Sequence, residues 1–174
     1  PGAEDLAGSR RCAVMAGEKI MRDIAIHRRL LIGATLLAAA WPALAKPAGT
    51  LIEVWKDPQC GCCHDWIAHL EAAGFTVRTF EEGNDVARRR LGMPEAYASC
   101  HTARVGGYVI EGHVPAADIR RLLAERPQAL GLAVPGMPVG SPGMDGPAYG
   151  GRRDPYNVLL IARNGGAAIF KRYS

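Results

Sequence analysis

The sequence predicts an α/β fold, with elements in the order β-α-β-α-β-β-α followed by a C-terminal Gly/Pro/Met loop and a β-hairpin extension. Three observations carry this reading. Residues 50–55 alternate and are β-branched, and a cysteine cluster and an apolar pattern of helical period follow at once. A second strand-like run, Thr76-Val77-Arg78-Thr79-Phe80, lies one helix further on, so that parallel pairing would close a strand-helix-strand unit. Finally, Gly106-Gly107 separates two short apolar runs, as the turn of a β-hairpin does.

Each element has its own justification. Asp57-Pro58 ends the first strand with a turn signal. From Cys63, the positions Trp66, Ile67, Leu70 and Ala73 recur at helical spacing, and Gly74 supplies the stop. Asp85 is placed to cap a short helix through Val86, Ala87 and Leu91, which ends before Gly92-Met93-Pro94. The run Arg88-Arg89-Arg90 within it reads as a solvated face rather than a phosphate site. After Pro94 a second helical turn leads to Ser99-Cys100-His101-Thr102, and the hairpin over 103–112 follows. Residues 115–125 carry Ile119, Leu122 and Leu123 at helical spacing behind Pro115, a residue suited to a first turn. Residues 131–151 are dense in Gly and Pro and are expected to form a long loop. Residues 156–163 and 167–173, joined by Asn164-Gly165-Gly166, close the chain as a hairpin.

Ahead of this domain, Arg28-Arg29 precede an apolar run over 30–41 that ends in Ala43-Leu44-Ala45. Basic, apolar and small-residue regions in that order are those of a secretory signal peptide, and the run is too short for a membrane span of about 20 residues. The expected organisation is therefore an upstream extension and signal peptide over 1–45, with translation starting at Met21, and a single domain over 46–174 without a membrane span. The paired arginines leave both the Sec and the twin-arginine routes open. Residues 46–174 carry fifteen basic and thirteen acidic side chains, a net charge of about +2 that gives nucleic-acid binding no support. Of five cysteines, Cys12 falls in the extension, and the other four enter a compartment that permits disulfides.

Three of those four stand in Cys60-Gly61-Cys62-Cys63-His64. Cys60 and Cys63 are in C-x-x-C relation at a helix N-terminus, where unpaired backbone N–H groups favour the thiolate. Thiolates attack disulfides and bind soft metals alike, so this placement serves both chemistries. Cys62 shifts the balance, because dithiol exchange needs two sulfurs, whereas clustered thiolates suit a thiophilic ion such as Cu(I) and can bridge more than one. Met137 and Met144, in the Gly/Pro loop, are further soft donors or, alternatively, a packed lid. His113 reads as a turn or helix-entry residue, His69 as solvent-facing, and Trp55 and Trp66 as core.

The element order, with a cysteine motif between first strand and first helix, resembles the thioredoxin fold. In that fold the segment entering the third strand lies against the cysteine loop, and thiol-exchange enzymes carry a cis-proline there. Cys100-His101 takes that place here, and Pro94 is too far back. The resemblance thus gathers Cys60, Cys62, Cys63 and Cys100 as a thiolate set, with His101 or His64 in reserve. Trp55-Lys56 with the cysteine cluster, Ser99-Cys100-His101-Thr102-Ala103, the stretch from Tyr108 to Pro115, and Val134-Pro135-Gly136-Met137-Pro138 through Gly143-Met144 carry a closer likeness. On these motifs the chain resembles the CopG-type periplasmic copper-resistance proteins, a thioredoxin-like metal-binding family long catalogued as a domain of unknown function. The resemblance implies periplasmic copper binding through the four cysteines, with a multinuclear cluster left open, a role in copper resistance, and other periplasmic copper-handling proteins as partners. Whether copper is stored or cycled between Cu(I) and Cu(II), as by a copper oxidoreductase, stays open at this point. The competing expectations are a thiol-disulfide oxidoreductase and, last, a zinc-stabilised module.

Overall fold

The computed structural model describes residues 49–174. The expected upstream extension, signal peptide and Cys12 lie outside the described residues. The elements are β1 (Leu51–Lys56), α1 (Gly61–Ala72), β2 (Thr76–Phe80), α2 (Asp85–Leu91), a 3-10 turn (Glu95–Tyr97), β3 (His101–Val105), β4 (Tyr108–Glu111), α3 (Ala116–Glu125), β5 (Gly131–Ala133), a second 3-10 turn (Pro147–Tyr149), β6 (Tyr156–Ile161) and β7 (Ala167–Tyr173). All seven strands join one sheet in the order β2-β1-β3-β4-β5-β6-β7. β1 and β2 are parallel, as the strand-helix-strand reading required, and β1 pairs antiparallel with β3. β5 runs parallel to β4 and carries the antiparallel β6–β7 hairpin at its other edge.

β5 corrects the expectation that residues 131–151 are loop throughout. Gly131 lies so close to the Val109 backbone that a Cβ there would collide with it, and the missing side chain is what lets β5 come alongside β4. Without β5 the closing hairpin would have no edge to join.

Alternation along the strands sends side chains to two faces. Ile52, Val54, Ile110 and Leu132 pack with Trp66, Ile67 and Leu70 of α1 and with Ile119 and Leu122 of α3 in the main core. Val109, Ala133 and Ile161 pack with Met93, at the end of α2, in a smaller cluster. Truncating Trp66, which is fully buried, to Ala would cost about 3–5 kcal/mol by cavity formation. α1 stops where predicted: Gly74 takes φ 87°, its N–H donates to Glu71 O, and Phe75 N–H donates to Leu70 O. This pair of bonds is the Schellman arrangement, and buried Phe75 packs in the same core as Leu70.

α2 departs from expectation twice. Its N-cap is Asn84, and Asp85 is the first helical residue, turned to an ion pair with Arg88 at 2.6 Å. Arg88 is not on a solvated face: it is 4% exposed and also bonds Glu95 and Glu111. Arg89 and Arg90 are exposed, and Arg90 lies 5.2 Å from the centroid of the Trp55 ring. The segment thus faces both ways, because a seven-residue helix on a sheet must turn one side inward.

Candidate metal centre

The turn after β1 is fixed by Asp57, whose carbonyl accepts from Cys60 N–H at 3.1 Å and whose carboxylate accepts from Gln59 N–H at 2.8 Å. It delivers Cys60 to the N-cap of α1, with Cys62 and Cys63 in the first turn. Cys100 arrives from the segment entering β3. The ligand atoms of Cys60, Cys62, Cys63 and Cys100 all lie within 4.8 Å of one another. Sulfur separations are 3.6 Å for Cys60–Cys62, 3.8 Å for Cys62–Cys100 and 3.5 Å for Cys63–Cys100. Cys60 and Cys63 are joined as a disulfide, which leaves Cys62 and Cys100 as the free thiols among the described residues. The four expected sulfurs therefore do converge, but the structure holds the oxidised pair rather than four thiolates.

Burial, followed by the negative charge of Cys62 and the hydrogen bond to it, pushes the Cys100 thiol up to about 12, against the weaker pull of the Ser99 hydroxyl. Cys100 is thus a thiol at neutral pH, and a metal binding there must displace its proton.

Two buried histidines flank this sulfur. His101 Nε2 lies 2.9 Å from Gly112 O, and His113 Nδ1 lies 2.8 Å from Pro142 O. A carbonyl only accepts, so each of those nitrogens carries the proton and the other ring nitrogen of each histidine is a bare acceptor. Those bare nitrogens, His101 Nδ1 and His113 Nε2, are the ones facing Cys100 Sγ, at 3.4 and 3.1 Å. Burial lowers both imidazole pKa values, that of His101 well below its usual range, so the rings are neutral donors. Trp66 covers His101 at 4.1 Å between ring centroids and is itself held by Nε1–H donating to Val114 O at 2.9 Å.

The segment carrying Cys100 is clamped from the other face of the sheet. Fully buried Glu111 accepts from Ser99 N–H at 2.8 Å, Thr102 Oγ1 at 2.7 Å and Arg88 Nη1 at 3.4 Å. Burial drives its carboxyl up to about 7, with the Thr102, Ser99 and Arg88 donors pulling the other way. Near the cysteine loop, fully buried Lys56 donates to Asp57 O and pairs with Glu81, each at 3.1 Å. The 134–146 loop lies over the helix start: a Cβ at Gly143, which has φ 84°, would stand 2.6 Å from Cys62 O and 2.8 Å from Trp66 N.

Of the reserve candidates, His101 is at the site. His64 is exposed and 3.9 Å from Glu81, outside both close groups of candidate ligands. Met137 is exposed, and buried Met144 has its sulfur 3.3 Å from the Tyr149 hydroxyl. Sequence reasoning missed His113, expected as a turn residue. The signal was present, however. Gly106 and Gly107 both have positive φ and pair Val105 with Tyr108. Counting back residue by residue from that pair sets Cys100 across from His113. His69 is a second correction: it is half-buried, and its Nε2 accepts from Ala116 N–H at 3.1 Å, supplying the cap that Pro115 has no side chain to give α3.

Soft sulfur donors and neutral imidazoles on a mixed α/β scaffold define a protein whose cysteine/histidine cluster fits copper binding. Residues 97–144 match a protein family of unknown function, DUF411. Two solved structures of copper resistance protein CopG, Form 1 and Form 2, are each 48% identical to this chain, with TM-scores of 0.66 and 0.67. Each covers 72% of this chain, which in turn spans 98% and 99% of theirs. The chain belongs to the CopG copper-resistance family. No curated protein matched significantly.

Proposed function

We propose that this protein binds copper in the periplasm for copper resistance, using Cys60, Cys62, Cys63 and Cys100 as its reduced ligand set. The convergence of four sulfurs from two segments of the chain carries this reading. Clustered thiolates select Cu(I), and bridging sulfur accommodates more than one ion. His101 is the supporting nitrogen donor, His64 and Met137 stand at exposed positions suited to delivering copper, and Met144 lies one residue from the Gly143 contact with the cysteine helix. A thioredoxin-like arrangement of β1-α1-β2 and β3-β4-α3, with Cys100-His101 where exchange enzymes place proline, accounts for the convergence. Export by the Sec or twin-arginine route, and hand-over to other periplasmic copper proteins, complete the proposal.

The disulfide adds redox capacity. A Cys60/Cys63 dithiol reduces two Cu(II) to two Cu(I), becoming the disulfide and releasing two protons, so that atoms and electrons balance. The same disulfide favours one second reading, thiol-disulfide exchange with proteins, which Cys63→Ser would reveal as a trapped mixed disulfide. The deciding experiment for copper is anaerobic Cu(I) titration of the reduced protein. Stoichiometric binding is expected in the wild type and collapse in Cys62→Ser; unchanged binding in that variant rejects the shared four-sulfur site.

A further inference from the structure

We infer that the end of the domain opposite the cysteines binds a small organic anion, a carboxylate or a phosphate monoester, between the C-terminus of α3 and the β3–β4 and β6–β7 turns. β3 and β4 each have one end beside Cys100, and Gly106, Gly107 and Tyr108 stand at their other ends. These three residues, with Leu123, Arg126 and Arg163, line a cavity of about 560 Å³. That volume lies within the roughly 300–1,000 Å³ of small-molecule sites. A smaller cavity of about 180 Å³ adjoins it through Leu123 and brings in Arg120.

The lining is cationic and uncompensated. Among the described residues no carboxylate lines the larger cavity, and neither the Arg126 nor the Arg163 guanidinium has an ion pair, whereas Arg104 of β3 and Arg121 of α3 pair with Glu53 and Glu125. Arg126 is also held in place at a conformational cost. It caps α3 with φ 49°, the one positive φ outside glycine among the described residues. Glycine is the usual residue at such a helix end, and Pro127 after it favours extended backbone at Arg126 instead. Backbone held against such preferences collects at ligand sites. Here it keeps a guanidinium at the cavity that glycine would not supply. The wall beside it is fixed, because the Tyr108 hydroxyl donates to Pro127 O at 2.9 Å. A guanidinium presents a planar fork of N–H donors that fits the paired oxygens of a carboxylate or phosphate. Leu123, Pro127 and the Tyr108 ring add apolar surface in the same cavity, which suits an organic anion better than an inorganic one.

The test titrates phenyl phosphate and, separately, inorganic phosphate into the full chain at low ionic strength, followed by amide NMR. Phenyl phosphate is expected to saturate with a Kd on the order of 1 mM. It should move the Gly106 and Gly107 amides and leave that of Gly61, at the start of α1, in place. Inorganic phosphate is expected to bind at least about threefold more weakly, because it lacks the ring's apolar contact. Arg163→Gln should weaken phenyl phosphate about fivefold, the worth of one exposed charge pair. Sodium chloride at about 1 M should weaken it likewise by screening. Arg126→Gly removes the other guanidinium while suiting the positive φ, so it is expected to weaken binding to a similar extent without lowering Tm. No saturable binding, shifts at Gly61 without shifts at Gly106 and Gly107, equal affinity for the two phosphates, or binding unchanged in both variants overturns the inference. The site uses none of the cysteines or histidines, so it stands or falls independently of copper binding.

Discussion

His69 shows how a single side chain gains a structural role that its position in α1 does not advertise. Its Nε2 caps α3, so His69→Ala is expected to cost about 1 kcal/mol, the usual worth of an N-cap, read by urea denaturation. Burial lowers its pKa below the ordinary 6.5, partly offset by Asp145. A lowered histidine pKa means that the unfolded chain binds the proton more readily. The contribution is therefore intact above pH 6.5 and fades as pH falls through the folded value, and His69→Ala should remove that acid sensitivity. Glu111 has the opposite sign. Its carboxyl rises from 4.5 to about 7 on folding, so its contribution is full below pH 4.5 and is lost as pH rises through 7. Stability measured at pH 5 and pH 7.5 should differ less in Glu111→Gln than in the wild type. None of this was legible in the sequence: a histidine or glutamate gives no sign of its tertiary donors.

At the scale of elements, the loop across the start of α1 depends on a residue with no side chain. Gly143→Ala places a methyl against Cys62 O and Trp66 N at a positive φ, a cost of about 1–2 kcal/mol from backbone conformation alone. The loop is expected to lift, and alkylation of Cys62 by iodoacetamide to accelerate; an unchanged rate would mean that the loop does not cover the thiol. The β3–β4 hairpin is the other element on which the site depends. Glu111→Ala leaves Ser99 N–H and Thr102 Oγ1 without their acceptor and takes one carboxylate from Arg88, a loss of about 3 kcal/mol by thermal melting. The cysteine cluster, the strand-helix-strand unit and both hairpins were legible, because periodicity and turn residues are local signals. Arg88 was misread because a run of three arginines looks uniform in sequence, whereas a helix on a sheet buries one side. β5 was missed because Gly131 argues against a strand until its close approach to Val109 is seen.

For the molecule as a whole, metal binding and folding are linked, since the ligands come from segments that meet only in the folded chain. Copper held at a hundredfold excess over its Kd should stabilise the reduced protein by about 2.7 kcal/mol, a rise of roughly 10 °C in Tm for a domain of this size. Calorimetry with and without Cu(I) checks this, and Cys62→Ser should show little of the gain. The sheet also joins two distant regions. Gly106 and Gly107 are solvent-facing, about 20 Å of extended chain from Cys100. One residue inserted at that turn would delete no ligand, yet it would seat Gly112 across from the sulfur where His113 now stands. One residue removed would seat Val114 there. The hairpin is a gauge: a miscount at its exposed tip, where insertions look harmless, would strip a nitrogen from chemistry at its far end.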